Sequence, residues 1–282
     1  MHMVDRSWFN SHLVTLIGII LLVMGLAGLI SGPIPYLPIP SLATFHKNIS
    51  PELVGIGITV LLIDWANGKR EDELEKKLEK KDLILHMSSP DNVIAQEAVR
   101  TLRARGWLFD DTLKSANLIG ANLANTELTN AKLNDANLTK ANLQNAILNG
   151  IKFNGAILHR TNLQNADFTN AAIEHAKLNS ANLQNAKNTT NEQFRKAFSL
   201  HGATMPTGKL YNGRFNLDGD LMEAHLMKIG HSDDAKANYY GVSVEVYRWG
   251  QEWNKYYQSP PVMYSPDLPR WYELNENPDG KV

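Results

Sequence analysis

The 282-residue chain has no cysteine and almost no net charge. Without cysteine there can be no disulfide, no thiol nucleophile and no metal site built on thiolates. A formal net charge of -1 argues against a chain built chiefly to bind nucleic acid. The nine histidines are scattered without ligand-like spacing, and no glycine-rich phosphate loop is present. We therefore expect no enzyme activity: no catalytic residue, no cofactor and no metal.

The middle of the chain has a period of five. Fourteen five-residue blocks run from residue 116 to residue 185, and the third position of each is a large apolar residue. A step of five would scatter these side chains around an α-helix, whereas short extended sides joined by Asn-rich turns would align them. We predict that these residues form the core: Leu118, Leu123, Leu128, Leu133, Leu138, Leu143, Leu148, Phe153, Leu158, Leu163, Phe168, Ile173, Leu178 and Leu183.

This pattern of Ala-(Asp/Asn)-Leu-x-x resembles that of the pentapeptide-repeat family. The resemblance implies a mainly β fold, a right-handed quadrilateral β-helix with four blocks per coil and coils roughly 4.8 Å apart. It also implies that each third-position side chain points into a filled core. One block combines Ile151 with Phe153, and we expect a local bulge there.

A second period of twenty residues makes one face nearly identical on successive coils. The blocks ANLAN, ANLQN, TNLQN and ANLQN begin at residues 121, 141, 161 and 181. Stacking would align their amide side chains into a hydrogen-bonded ladder, which would either only stabilise the stack or also bind a partner. The candidate ladder face consists of Asn122, Asn142, Asn162 and Asn182.

Two apolar segments before the repeats predict a transmembrane hairpin. The uncharged run 13–30 would span roughly 27 Å as a helix, and a second span covers about residues 50–66. A cleaved signal peptide or a buried core helix are the alternatives, but the run is longer than a signal h-region. Asp64 falls near an interface or acts as an acid inside the membrane. Lys and Arg flank both outer ends, which predicts a multi-pass protein of the bacterial inner membrane with cytoplasmic termini.

These features predict four domains. They are a transmembrane hairpin (1–68), a helical stalk with an N-terminal cap helix (69–110), the repeats (111–187) and a C-terminal cap with an aromatic and Pro-rich tail (188–282). The stalk is a solvated helix or a short coiled coil. The segment 91–108 is similar to sequence that precedes the repeats in membrane-tethered bacterial family members. The C-terminal aromatics form either a cap core or a partner-binding surface.

The leading functional hypothesis is a membrane-anchored, non-enzymatic scaffold that presents the repeats on the cytoplasmic side to an unknown protein partner. It expects no nucleic acid and leaves a homo-oligomer open. One alternative is mimicry of DNA to regulate a type II topoisomerase, as the family resemblance suggests, but residues 116–185 carry four acids and five bases rather than an acidic surplus. Another is regulation of a membrane transport or envelope-lipid process through the hairpin.

Overall fold

The computed structural model describes residues 6–31 and 50–258 of the chain. The chain divides into two compact units, Met1–Leu78 and Glu79–Val282. The proline-rich connection at 32–49 and the tail beyond residue 258, with Tyr264, Trp271 and Tyr272, lie outside the described residues. The helices are α1 (Arg6–Ser31), α2 (Ser50–Met87), α3 (Asn92–Ala104), α4 (Asn191–Arg195), α5 (Asp218–Leu226), α6 (Asp233–Tyr240), α7 (Val244–Gln258) and a 3-10 turn (Asp111–Leu113).

In the first unit, α1 and the beginning of α2 approach closely through glycine. A Cβ added to Gly18 would lie 2.9 Å from the Leu61 side chain, and one added to Gly57 would lie 2.7 Å from the backbone nitrogen of Leu22. The hydroxyl of Thr15 donates a hydrogen bond to the carboxylate of Asp64. Close contact between these two helices therefore depends on the missing side chains of two glycines.

No helix in the described part of the chain is both long enough and apolar enough to cross a membrane. In α2 the uninterrupted apolar run covers only residues 53–63, which rise about 16 Å against a hydrocarbon core of about 30 Å. The predicted transmembrane hairpin was therefore wrong. So were the bilayer contacts through residues 13–30 and about 50–66, and the multi-pass inner-membrane location with cytoplasmic termini.

In the second unit, the repeats form coils of four blocks, each joined to the next by backbone hydrogen bonds. Second-position residues form parallel bridges with the residue twenty positions later, such as Asn122 with Asn142. The third-position N–H of Leu118 donates to Asn137 O at 2.8 Å, and Asn137 N–H donates to Ala116 O at 2.9 Å. The same bonds recur in the other blocks, so the chain climbs one coil every twenty residues.

The turn at each corner requires a left-handed backbone. The fifth residue of every block from 111–115 to 181–185 has a φ between 54° and 70°. Asn and Gly tolerate this conformation, which explains why they dominate that position. Lys140 and Arg160 also adopt it, at φ values of 60° and 54°. For these two side chains the conformation costs about 1 kcal/mol each.

The prediction of a mainly β fold, a right-handed quadrilateral β-helix, was wrong. The described residues contain seven α-helices and no strand, and the repeats pair through isolated single-residue bridges. The reason is local, because two of the five residues in each block form a turn. Each side of a coil therefore has only one residue in a bridge, which is too few for a strand.

The lumen of the coils is filled by the third-position side chains. All fourteen of them, from Leu118 to Leu183, are at most 2% exposed. Two threonines replace alanine in the neighbouring buried column. Thr126 Oγ1 donates to Leu123 O at 2.7 Å and Thr161 Oγ1 donates to Leu138 O at 2.9 Å. Because both hydroxyls are hydrogen-bonded, their burial is tolerated.

The block that combines Ile151 and Phe153 does not bulge. Both side chains are fully buried, and Phe153 N–H donates to Ala172 O at 2.7 Å in the ordinary register. The predicted bulge was therefore wrong. The register places Ala131 and Ala171 in the same column as Ile151, one coil before and one coil after it. These small neighbours leave room for the larger side chain.

The helix α3 packs on the first coil. Its buried residues are Ala95, Ala98, Val99 and Leu102, and Asp91 caps its N-terminus by accepting from Val93 N–H at 2.8 Å. Asn92 Nδ2 donates to the carbonyls of Asn122 and Ala124 at 2.9 and 3.0 Å. These bonds satisfy backbone groups of the first coil that have no coil before them.

Coil pairing continues past Asn188, where the apolar third position is lost. Ser199 pairs with Lys177 and Thr204 with Asn182, in both cases twenty-two residues apart instead of twenty. The short helix α4 lies within this stretch and begins with a capping box between Thr190 and Gln193. The last coil therefore contains two additional residues without losing its pairing.

We expect Gly150→Ala to destabilise the second unit more than Gly120→Ala does. Both glycines have positive φ, so each substitution should cost about 1 kcal/mol in backbone strain. Only at Gly150 would the new Cβ also collide with Oδ1 of Asn130, whereas Gly120 has open space around it. Urea unfolding of the two variants measures the difference, and equal losses would contradict this account of the stacked corners.

Candidate functional site

The candidate site lies on the outside of the repeats, because the lumen is filled. We define the amide face as residues 121–125, 141–145, 161–165 and 181–185, which contain no charged residue. Their second-position residues are paired from coil to coil, and Asn122, Asn142, Asn162 and Asn182 follow one another in this order. The same kind of surface is therefore repeated on four successive coils.

Amide side chains on this face are hydrogen-bonded along the stack. Asn142 Nδ2 donates to Asn122 Oδ1 and Asn162 Nδ2 donates to Asn142 Oδ1, both at 3.1 Å. Asn182 is joined to Asn162 by its backbone bridge, and its Oδ1 accepts from Gln184 N–H at 3.1 Å. These contacts fix the orientation of the amides before any partner arrives.

A parallel ladder runs along the corner of the amide face. Asn165 Nδ2 donates to Asn145 Oδ1 and Asn145 Nδ2 donates to Asn125 Oδ1, both at 3.0 Å. Between the two ladders, Gln164 Nε2 donates to Gln184 Oε1 at 3.2 Å. Each ladder bond uses only one of the two N–H hydrogens of its amide. The face can therefore still donate hydrogen bonds to a partner.

A second polar cluster lies at the end of the coils. The ring of His201 stacks on that of Tyr239 with centroids 4.0 Å apart, and its Nδ1 lies 3.4 Å from Glu223 Oε2. Asn179 Nδ2 donates to the same carboxylate oxygen at 3.1 Å. This arrangement joins the last coils to α5 and α6.

Asp220 is fully buried beside this cluster. Its Oδ1 accepts from the N–H groups of Leu200 and His201, each at 3.0 Å. Its Oδ2 is buried and has no hydrogen-bond partner within the described residues. Burial raises the pKa of Asp220 to about 6 against the two hydrogen bonds that lower it.

Sequence reasoning missed this cluster. The Asp218-Gly219-Asp220 segment reads as a turn before a helix, and the helix in fact starts at Asp218. His201 reads as a surface histidine, but its side chain is only 25% exposed. No local signal could have joined these residues, because their contacts span sixteen to forty-four residues of sequence. Within the described ranges, no group of three or more His, Asp or Glu side chains could hold a metal ion.

The described C-terminal aromatics pack as a core beneath the last coil. Tyr211, Tyr240 and Tyr247 are buried, and the rings of Tyr211 and Tyr240 meet edge to face at 5.6 Å. Phe215 and Trp253 make a similar contact at 5.6 Å. The buried rings of Tyr211, Phe215, Tyr240 and Tyr247 therefore contribute area to the cap core.

The geometry of these coils agrees with a family comparison. A family model described as a pentapeptide repeat region matches residues 112–192. Residues 112–192 are a pentapeptide repeat region. The match begins after residues 91–108 and gives no support to the resemblance of that segment to membrane-tethered bacterial members. A search of curated proteins found no match to this chain.

Solved structures of two pentapeptide repeat proteins and of QnrB1 are similar to part of this chain. Rfr23 from the cyanobacterium Cyanothece 51142 is 29% identical over 33% of this chain and 54% of its own, with a TM-score of 0.25. HetL, involved in heterocyst differentiation regulation in Nostoc sp. strain PCC 7120, is 27% identical. The match covers 35% of this chain and 61% of HetL, with a TM-score of 0.14. QnrB1, a plasmid-mediated fluoroquinolone resistance protein, is 18% identical. The match covers 41% of this chain and 54% of QnrB1, with a TM-score of 0.18.

The chain thus spans between about half and three-fifths of the length of these structures. The TM-scores are too low to carry an argument about the rest of the chain. The pentapeptide repeats are therefore identified by the family match and by their own hydrogen bonds.

We expect Asn142→Ala to destabilise the repeats more than Asn137→Ala does. Asn142 is bonded to amides on both adjacent coils, whereas the Asn137 side chain accepts hydrogen bonds from Thr139 within its own block. The additional loss should be about 1 kcal/mol in urea unfolding. Equal losses would show that the ladder does not stabilise the stack.

We also expect Asp220→Asn to become increasingly stabilising relative to the parent as pH rises from 4 to 7. The folded-state pKa of Asp220 is raised to about 6, so ionisation opposes folding and stability is lost as pH rises through that value. The full difference should approach roughly 3 kcal/mol. Asn can still accept from Leu200 and His201. Urea unfolding of the parent and the variant across this pH range measures the difference in stability. The control for the loss of a charge is Asp218→Asn, at an exposed position. A difference between Asp220→Asn and the parent that does not change with pH would contradict the prediction.

Proposed function

We propose that this chain is a non-enzymatic scaffold whose pentapeptide repeats bind a protein partner through the amide face. The observation that carries the proposal is the fixed, uncharged row of amides repeated on four coils. The filled lumen supports it, because fully buried third-position side chains leave the outer faces as the binding surface of the coils. The amides are already ordered, so binding them would cost little conformational entropy.

A protein partner suits this face better than a small molecule does. Small-molecule sites are concave and mostly apolar, with a few polar groups that fix orientation. The amide face instead extends over four coils, about 14 Å along the stack, and offers donors and acceptors at regular intervals. Such spacing suits the repeating carbonyl and N–H groups of an extended polypeptide.

The topoisomerase alternative is disfavoured by charge. Mimicry of DNA requires an acidic rod, whereas the amide face has no charge and residues 116–185 carry one more base than acid. The second alternative, regulation of a membrane process, depended on a transmembrane hairpin and has lost its premise. Protein binding by the repeats is therefore the function that we propose.

Site-specific photo-crosslinking tests the proposal. A photoreactive amino acid at Gln164, on the amide face, should capture one dominant protein when the full chain is irradiated in its native cells. The matched control is the same group at Lys152, an exposed second-position residue on another face. The captured protein should then bind the purified chain and lose binding when Gln144 and Gln164 are both changed to Glu, which removes their N–H donors. Identical adducts from Gln164 and Lys152 would contradict the proposal.

A further inference from the structure

We propose that the partner segment bound at the amide face is acidic, and that Lys140, Arg160 and Lys177 hold it. We call these three residues the basic corner. The inference rests on the proposed function, because it names the chemistry of the segment that the amide face would bind. It goes further because it assigns part of the binding affinity for that segment to a side of the coils outside the amide face.

The repeat blocks that carry the basic corner contain no acid, and Glu223 of α5, which is bonded to Asn179 in the last of them, already lies against His201. Residues 136–140, 156–160 and 176–180 occupy the same side of three successive coils, and they contain three bases and no Asp or Glu. Lys140 and Arg160 are exposed fifth-position residues, so each directly precedes a block of the amide face. They lie one coil apart, about 4.8 Å along the stack. A segment lying over this edge would contact both faces at once.

Several bases elsewhere in the second unit already have acidic partners. Arg103 lies 2.7 Å from the Glu127 carboxylate, and Lys196 lies 3.7 Å from that of Glu174. Within residues 6–31 and 50–258, by contrast, no carboxylate lies in ion-pair contact with a member of the basic corner. Lys177 instead has its ammonium group 5.5 Å from the centre of the Phe198 ring. The stacked like charges repel one another, and an anionic partner would relieve that repulsion.

The backbone gives independent support. Lys140 and Arg160 have φ values of 60° and 54° at positions where other blocks mostly have Asn or Gly. Long basic side chains gain nothing locally from a left-handed backbone. Unfavourable conformations of this kind concentrate at functional sites. Two adjacent coils therefore carry charge where the fold alone would favour asparagine.

The size and surroundings of the basic corner favour a peptide over nucleic acid. Its charges extend over three coils, about 10 Å, which is the length of roughly three extended residues. The side of the coils that precedes the basic corner carries two acids, Asp135 and Glu174, and two bases, Lys132 and Lys152, so it offers no basic surplus to a longer phosphate backbone. The other neighbour is the uncharged amide face. A short acidic segment fits this distribution, and a duplex does not.

The test is fluorescence anisotropy with the purified full chain. The probes are a labelled peptide rich in Asp and Glu, the same peptide with Asn and Gln in their place, and a labelled 20-base-pair DNA duplex. We expect the acidic peptide alone to bind, and its affinity to fall as salt is added. The variant Lys140→Asn with Arg160→Asn should bind it at least tenfold more weakly. Its melting temperature should be equal or higher, because Asn suits a left-handed backbone.

The control variant is Lys152→Asn with Lys187→Asn, which removes two exposed bases from other faces. We expect it to bind the acidic peptide like the parent. The proposal is overturned if both variants lose binding equally, if the basic-corner variant retains it, or if the duplex binds more tightly than the peptide. If the Gln164 crosslink captures a partner that the acidic peptide cannot displace, this inference fails while the proposed scaffold function stands.

Discussion

The backbone hydrogen bonds between coils are the interaction on which the second unit depends. They form only because the fifth residue of each block turns the chain in the left-handed region, which returns it to the same position after twenty residues. That turn aligns the third-position side chains in the lumen and the amides on one outer face. The buried core, the ladders and the basic corner all follow from one repeated corner geometry.

Much of this geometry can be read from the sequence. The apolar third position indicates a core column that no helix could provide, and the frequent Asn and Gly at the fifth position agree with the corner that the structure shows there. The twenty-residue recurrence of ANLQN-like blocks places Asn142 between Asn122 and Asn162. Such features can be read because each depends on neighbours in a fixed sequence register.

The remaining features depend on physics that the repeat pattern does not contain. The prediction of strands failed because the turn at each corner takes up residues that a longer run of backbone pairing would need. The environment of Asp220 depends on Leu200 and His201, which reach it only after the coil with two additional residues has formed. The hairpin prediction failed because it extended the eleven-residue run 53–63 into polar ends to reach a spanning length. Tertiary context decided each of these cases.

The constant separation of twenty residues between bridged positions has a consequence for how the repeats form. Every bridge that joins two residues of the range 117–187 has this one separation, so no block there needs a distant part of the chain to find its pair. Loop-closure entropy is then small and identical at each step. A newly synthesised block can dock on the finished coil before the ribosome has released the rest of the polypeptide, with each layer acting as the template for the next.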